Sequence, residues 1–140
     1  MNLLENISTM FSVDVKQGPA NTEEIDRLRK FSSISVPDDY INVVKYATEV
    51  EIKVNNHSYI RIWSPLGCIE MNEAYNVQSF IPNSLAIGDD EGGRVLIYVA
   101  EGDSIGLYLV GFGDLDFEDA IWVAPSLHDL LVNNVGIALF

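Results

Sequence analysis

Cysteine and positive charge are what this sequence has least of. A single cysteine, Cys68, excludes an intrachain disulfide and fits a reducing compartment. Eight Lys and Arg stand against 21 Asp and Glu, a formal net charge of −13. A chain so acidic repels nucleic acid and anionic membrane surfaces, so neither is expected as a partner. The first cation is Lys16, so the N-terminus lacks the basic region of a secretory signal, and a cytoplasmic location is expected. No apolar run approaches the roughly 20 residues that span a bilayer.

Chemistry-bearing groups are also scarce. The two histidines, His57 and His128, have no His or Cys at metal-ligand spacing. No G-x-S-x-G elbow surrounds a serine, and Cys68, without a C-x-x-C partner, reads as a small buried hydrophobe. Asp89-Asp90-Glu91 and Asp114-x-Asp116-x-Glu118 carry the oxygen ligands that calcium takes, but neither completes an EF-hand loop. The expectation is a chain with no cofactor, no metal and no catalytic constellation. There are no internal repeats and no low-complexity linkers, so residues 1–140 are expected to form one domain.

What the sequence does have is patterned apolar residues. Leu3, Leu4, Ile7, Met10 and Phe11 have helical spacing, predicting an amphipathic helix over 2–11 and a linker to residue 20, where Gly18-Pro19 breaks the chain. Asn21 and Glu24 stand at capping-box spacing before a helix carrying Ile25, Leu28 and Phe31 on one stripe. Pro37, Asp38 and Asp39 open a third helix with Tyr40, Val43, Val44 and Ala47 on one face. The period then switches to two. Val50, Ile52 and Val54, and after Asn55-Asn56-His57 Ile60 and Ile62, predict a β-hairpin with one wet face. Tyr59 and Arg61 fall on that wet face, with Trp63 either beside them or turned into the core at the strand end. Ser64-Pro65 opens a further helix through Tyr75.

Strands are predicted at 85–88, 94–100, 105–110 and 121–124, and a helix from Ser126. The fold class is therefore α+β, a mostly antiparallel sheet of about five to six strands with flanking helices. If the middle strands form an up-down-up meander, the turns at 89–93 and 111–119 lie at one end of the sheet. That end gathers Asp89, Asp90, Glu91, Asp114, Asp116, Glu118 and Asp119, while Glu101 and Asp103 fall at the other. Like charges so crowded oppose folding unless a cationic partner relieves them. These seven acids, with Tyr59, Arg61 and Trp63 as residue types common in interface hot spots, are the candidate partner-binding residues. The apolar tail 133–140 is expected to dock on the domain or to join a dimer contact.

Four short signatures, taken in order, resemble the SUKH superfamily, which includes the yeast cell-wall-assembly regulators of the Smi/Knr type. Val36-Pro37-Asp38-Asp39-Tyr40 is similar to its "L-P-x-D-Y" helix opening. Ile62-Trp63-Ser64-Pro65 with Ile69 and Asn72 resembles its strand-to-helix step. Leu85 to Gly93 is similar to its "hydrophobic-Gly-Asp-Gly-Gly" turn, and Ala124 to Leu131 to its "A-x-S-F-x-E-F-L" closing helix. The likeness spans residues 22–132, with two departures: Thr48-Glu49-Val50-Glu51 replaces a usual Asn/Gly pair, and Leu127 stands where Phe is common. The resemblance implies an α+β domain without enzymatic activity. In bacterial members it implies an immunity protein that binds and neutralises a cognate toxin domain, often a nuclease. In eukaryotic ones it implies a scaffold or regulatory module.

Overall fold

Alternating β-branched residues dominate the middle of the chain, and in the computed structural model, which describes residues 2–140, they build one sheet of seven antiparallel strands. The strands are β1 (Phe11–Gln17), β2 (Thr48–Val54), β3 (Ser58–Ile62), β4 (Ser84–Asp89), β5 (Arg94–Glu101), β6 (Ser104–Gly111) and β7 (Ile121–Ala124). Their order across the sheet is their order along the chain. Five helices flank it: α1 (Thr22–Phe31), α2 (Asp38–Val44), α3 (Pro65–Ala74), α4 (Val77–Phe80) and α5 (Leu127–Leu131). The fold is the α+β architecture expected from the sequence, with one strand more than the six its pattern marked.

The extra strand is β1. The stretch 2–11 is not a helix: Asn2 Oδ1 accepts the Leu4 N–H at 3.0 Å, and a single 3₁₀ turn, Leu3–Asn6, is all that forms. An isolated helix of ten residues is marginal in water. Pairing Phe11–Gln17 with β2 instead satisfies a run of backbone groups and buries Phe11 in the core.

Local chemistry fixes the helix starts. In α1 the Glu24 N–H donates to Asn21 Oδ1 at 2.9 Å and the Asn21 N–H to Glu24 Oε1 at 3.1 Å, the reciprocal capping box. Ser64 Oγ accepts the Gly67 N–H at 3.0 Å to start α3, and Ser126 Oγ accepts the Asp129 N–H at 3.1 Å to start α5. The β2–β3 hairpin turns on Asn55 and Asn56, with φ of 52° and 63°, a left-handed pair that asparagine tolerates.

Burial divides the sheet. In β2, Thr48, Val50, Ile52 and Val54 are buried while Glu49, Glu51 and Lys53 are half-exposed, so one face is open there. In β4 and β5 every residue from Ser84 to Gly88 and from Val95 to Val99 is buried, so both faces are covered at the centre. The tail packs on the chain's own core through Val135, Ile137, Leu139 and Phe140.

β3 and β4 stay paired only at Arg61–Asp89 and Ile62–Gly88, with one further bond from the Trp63 N–H to the Ile87 carbonyl at 2.9 Å. The approach is close enough at Gly88 that an added Cβ would overlap the Arg61 carbonyl oxygen, so only glycine fits. Beyond it, α3 takes the place of β3. The buried Asn72 accepts the Ala86 N–H through Oδ1 at 3.1 Å and donates to the Ala86 carbonyl through Nδ2 at 2.8 Å. One side-chain amide thus satisfies both backbone groups that a neighbouring strand would have paired.

Candidate functional site

The β4–β5 turn is built from its own carboxylates. Asp89 Oδ1 accepts the Glu91 N–H at 2.8 Å, and Oδ2 accepts the Trp63 indole N–H at 2.8 Å. Asp90 Oδ1 accepts the N–H groups of Gly92 and Arg94, both at 2.9 Å, and Oδ2 accepts Arg94 Nε–H at 2.7 Å. Partial burial pushes the Asp90 carboxyl up, but the Arg94 guanidinium and these N–H groups outweigh it and hold it below the usual carboxylate range. Arg94 also donates through Nη2 to the Leu139 carbonyl at 2.8 Å, so the turn's one cation is engaged internally. Gly93 (φ 97°) supplies the left-handed backbone expected of a glycine, but Glu91 at the tip is left-handed as well, with φ of 56°.

The β6–β7 connection lies against this turn. The Phe112 N–H donates to the Gly93 carbonyl at 3.0 Å. Asp116 Oδ1 accepts the Glu118 N–H at 3.0 Å, and Asp114, Asp116, Glu118 and Asp119 are all exposed. The Asp119 carboxyl sits beside that of Asp114, whose hydrogen bond and charge raise its affinity for a proton. The meander therefore closes as the strand pattern predicts. The seven acids share one end of the sheet, and Glu101 and Asp103 flank the β5–β6 turn at the other. They are not equivalent. Asp89 and Asp90 are consumed in holding the turn, and Asp116 shares one oxygen with the backbone. Glu91, Asp114, Glu118 and Asp119 face solvent and, among the described residues, form no salt bridge, although the Arg61 charge reaches Glu91.

The hairpin residues come to the same place. By register, Glu51, Arg61, Asp89 and Val95 form one row across β2, β3, β4 and β5. Arg61 Nη2 pairs with Glu49 Oε1 at 3.2 Å, and the Tyr59 hydroxyl donates to Asp14 Oδ2 on β1 at 3.2 Å. Trp63 takes the second of its two placements: it is 3% exposed, turned inward at the strand end, where its indole N–H finds Asp89. Burying the ring removes a large apolar surface from water while the one polar atom stays bonded. Trp63 is thus a wall of the site rather than an exposed anchor. With Glu49, Arg61, Leu66, Glu70, Met71 and Asp89 it lines an open groove of about 430 Å³.

Two acids of this region carried no signal of their own in the sequence. Glu49 sits in β2 with φ of 46°, and its Oε2 accepts the Ser64 N–H at 2.6 Å, so it braces the start of α3 and Arg61 together. Glu51 stands beside Glu91. Partial burial and then the Glu51 carboxyl raise the Glu91 proton affinity, with Arg61 opposing. The alternation Glu49-Val50-Glu51 was the available clue, but only the register shows that it faces Arg61. Among the described residues, no group of three or more His, Cys, Asp or Glu is arranged to hold a metal ion. The Cys68 thiol is pushed up to about 12 by burial and lies 3.2 Å from the Tyr40 hydroxyl.

A sequence profile of the SMI1 / KNR4 family (SUKH-1) matches residues 19–133. The chain belongs to this family. No match is found among curated proteins. The matched region begins just before α1 and ends just after α5, so it contains the capped helices, the Gly88 contact, the Asn72 bridge and both acidic segments. β1 lies outside it. Among the described residues no helix is long and apolar enough to cross a membrane.

Proposed function

We propose that this SUKH-1 protein is a non-enzymatic immunity protein that acts in the cytoplasm, binding and neutralising a basic toxin domain through the acidic end of its sheet. The observation that carries the reading is the set Glu91, Asp114, Glu118 and Asp119, all exposed at one end and, among the described residues, none in a salt bridge. Such a surface raises the encounter rate with a cationic partner and rejects anionic ones. Asp89, Asp90 and Asp116 contribute charge while shaping the turns. Tyr59, Arg61 and the groove walled by Trp63 extend the contact along the open face. A nuclease, whose own surface must attract phosphates, is a partner of suitable charge.

The test first looks for a secreted protein with a C-terminal toxin module encoded beside this gene, then measures the association rate with that module at low and high salt. A steep fall with salt supports the reading, and a tight complex formed at a salt-independent rate overturns the role of the acidic end. The family match equally accommodates a scaffold or regulatory module. That reading predicts capture of several endogenous proteins and no protection against one toxin.

A further inference from the structure

One group of exposed apolar residues is not absorbed by the acidic end, although it adjoins it. Phe80, at the end of α4, is 59% exposed, and Tyr75, at the end of α3, is 42% exposed. Between α3 and α4 lies Asn76, with a left-handed φ of 53°. They line an open groove of about 350 Å³ together with Phe112, Leu115, Asp114 and Asp116. The Tyr75 and Phe112 ring centroids are 4.6 Å apart, and the Phe112 ring in turn stacks on Trp63 at 6.4 Å. The floor is therefore a continuous aromatic row anchored in the core. The rim is two carboxylates, and among the described residues no Lys, Arg or His lines the groove.

Aromatic faces carry negative charge density and attract a cation laid over them. A carboxylate at the ring's edge supplies the counter-charge. The planar guanidinium fits both demands, since it stacks on a ring and pairs with carboxylates in its own plane, whereas an ammonium is a strongly hydrated point charge. We infer that this groove receives one arginine side chain of the basic partner, its guanidinium stacked on the exposed Tyr75 ring, which Phe112 backs, and paired with Asp114 and Asp116. This rests on the reading of the acidic end as a partner-binding surface and names its specificity pocket. Phe80 closes the outer wall against the methylene stem.

The experiment titrates the ¹⁵N-labelled full chain with N-acetyl-arginine amide, N-acetyl-lysine amide and N-acetyl-citrulline amide, reading backbone amide shifts. The expected result is a saturable movement of Phe112 and Gly113 with the arginine probe, a weaker one with lysine and none with citrulline. Phe80→Ala and Tyr75→Ala change exposed rings, so the spectrum should keep its dispersion. Each should weaken arginine binding about two- to fivefold, the cation–π increment of an exposed site. Asp114→Asn with Asp116→Asn keeps the Asp116 cap and should weaken it further. Equal shifts with citrulline would make the groove an apolar patch and overturn the proposal. Shifts confined to Glu91 and its neighbours would also overturn it while leaving the acidic end as the docking surface. Movement of Phe112 and Phe80 on raising protein concentration alone would assign the groove to a second copy, likewise overturning it. Arginine binding here combined with salt-independent toxin association would retain the pocket and reject the steering role.

Discussion

Trp63 and Asp89 are joined by an indole N–H to carboxylate hydrogen bond of 2.8 Å that ties the end of β3 to the mouth of the β4–β5 turn. The other oxygen of the same carboxylate holds the Glu91 N–H, so one acid fixes both the wall of the groove and the tip of the turn. Asp89→Ala leaves the indole N–H without its acceptor and releases the tip. A loss of about 1–3 kcal/mol is expected, read as a lower urea midpoint with an unchanged slope. Asp89→Asn retains one acceptor and should lose less.

Charge reversal separates the binding acids from the structural ones. Lysine at Glu91, Asp114 and Glu118 together should leave the urea midpoint near wild type. It should slow association with a basic partner by about tenfold or more at low salt, within the range that electrostatic steering covers. Asp90→Lys should do the opposite first: it places a second cation against Arg94 and unmakes three hydrogen bonds, so the protein should lose stability before binding can be judged. Thermal melts beside stopped-flow association rates distinguish the two.

Asn72 gives the sharpest test of the fold. Replacing it with leucine leaves the N–H and carbonyl of Ala86 buried without partners, at an expected cost of about 2–4 kcal/mol for two orphaned groups. Aspartate should be no rescue, because a carboxylate cannot donate to the Ala86 carbonyl. Hydrogen exchange at the Ala86 amide, fast in the variant and slow in the wild type, is the direct readout.

Stability should peak at mildly acidic pH. Glu91 and Asp119 hold protons more tightly in the fold than at their ordinary 4.5 and 3.8, so at neutral pH they detract from stability. That detraction fades as pH falls through their folded values. Asp90 is held below its ordinary 3.8, so its contribution is complete above that value and is lost as pH falls through the lower folded one. The melting temperature should therefore rise as pH falls from neutral through the raised folded values of Glu91 and Asp119, and fall again as pH drops below 3.8 through the lowered value of Asp90. Glu91→Gln with Asp119→Asn should flatten the neutral limb, and Asp90→Asn the acid one.

The helices and strands were legible wherever local chemistry and periodicity agreed. Asn21 with Glu24, Ser64-Pro65 and Ser126 each announce a helix start that the structure contains. The meander was legible as well, and with it the gathering of seven acids from two separate segments. β1 was not, because Leu3, Leu4, Ile7, Met10 and Phe11 happen to fit a helical period while Phe11, Val13 and Val15 also fit a strand. Choosing between them required knowing that β2 offers a free edge. Trp63 was ambiguous for a related reason: its strand position points to the open face, and only the approach of Asp89 and Phe112 closes that face over it. Asn72 and Glu49 act through backbone groups distant in sequence, which no spacing reveals.

The identity of strand order and chain order has a consequence for how the molecule comes into being. Each strand pairs with the one synthesised just before it, so the sheet can be laid down from one margin to the other during translation. β4 and β5, apolar on both faces, do not wait for a late partner from the far end of the chain. The interval in which their edges could capture a neighbouring nascent chain is correspondingly short.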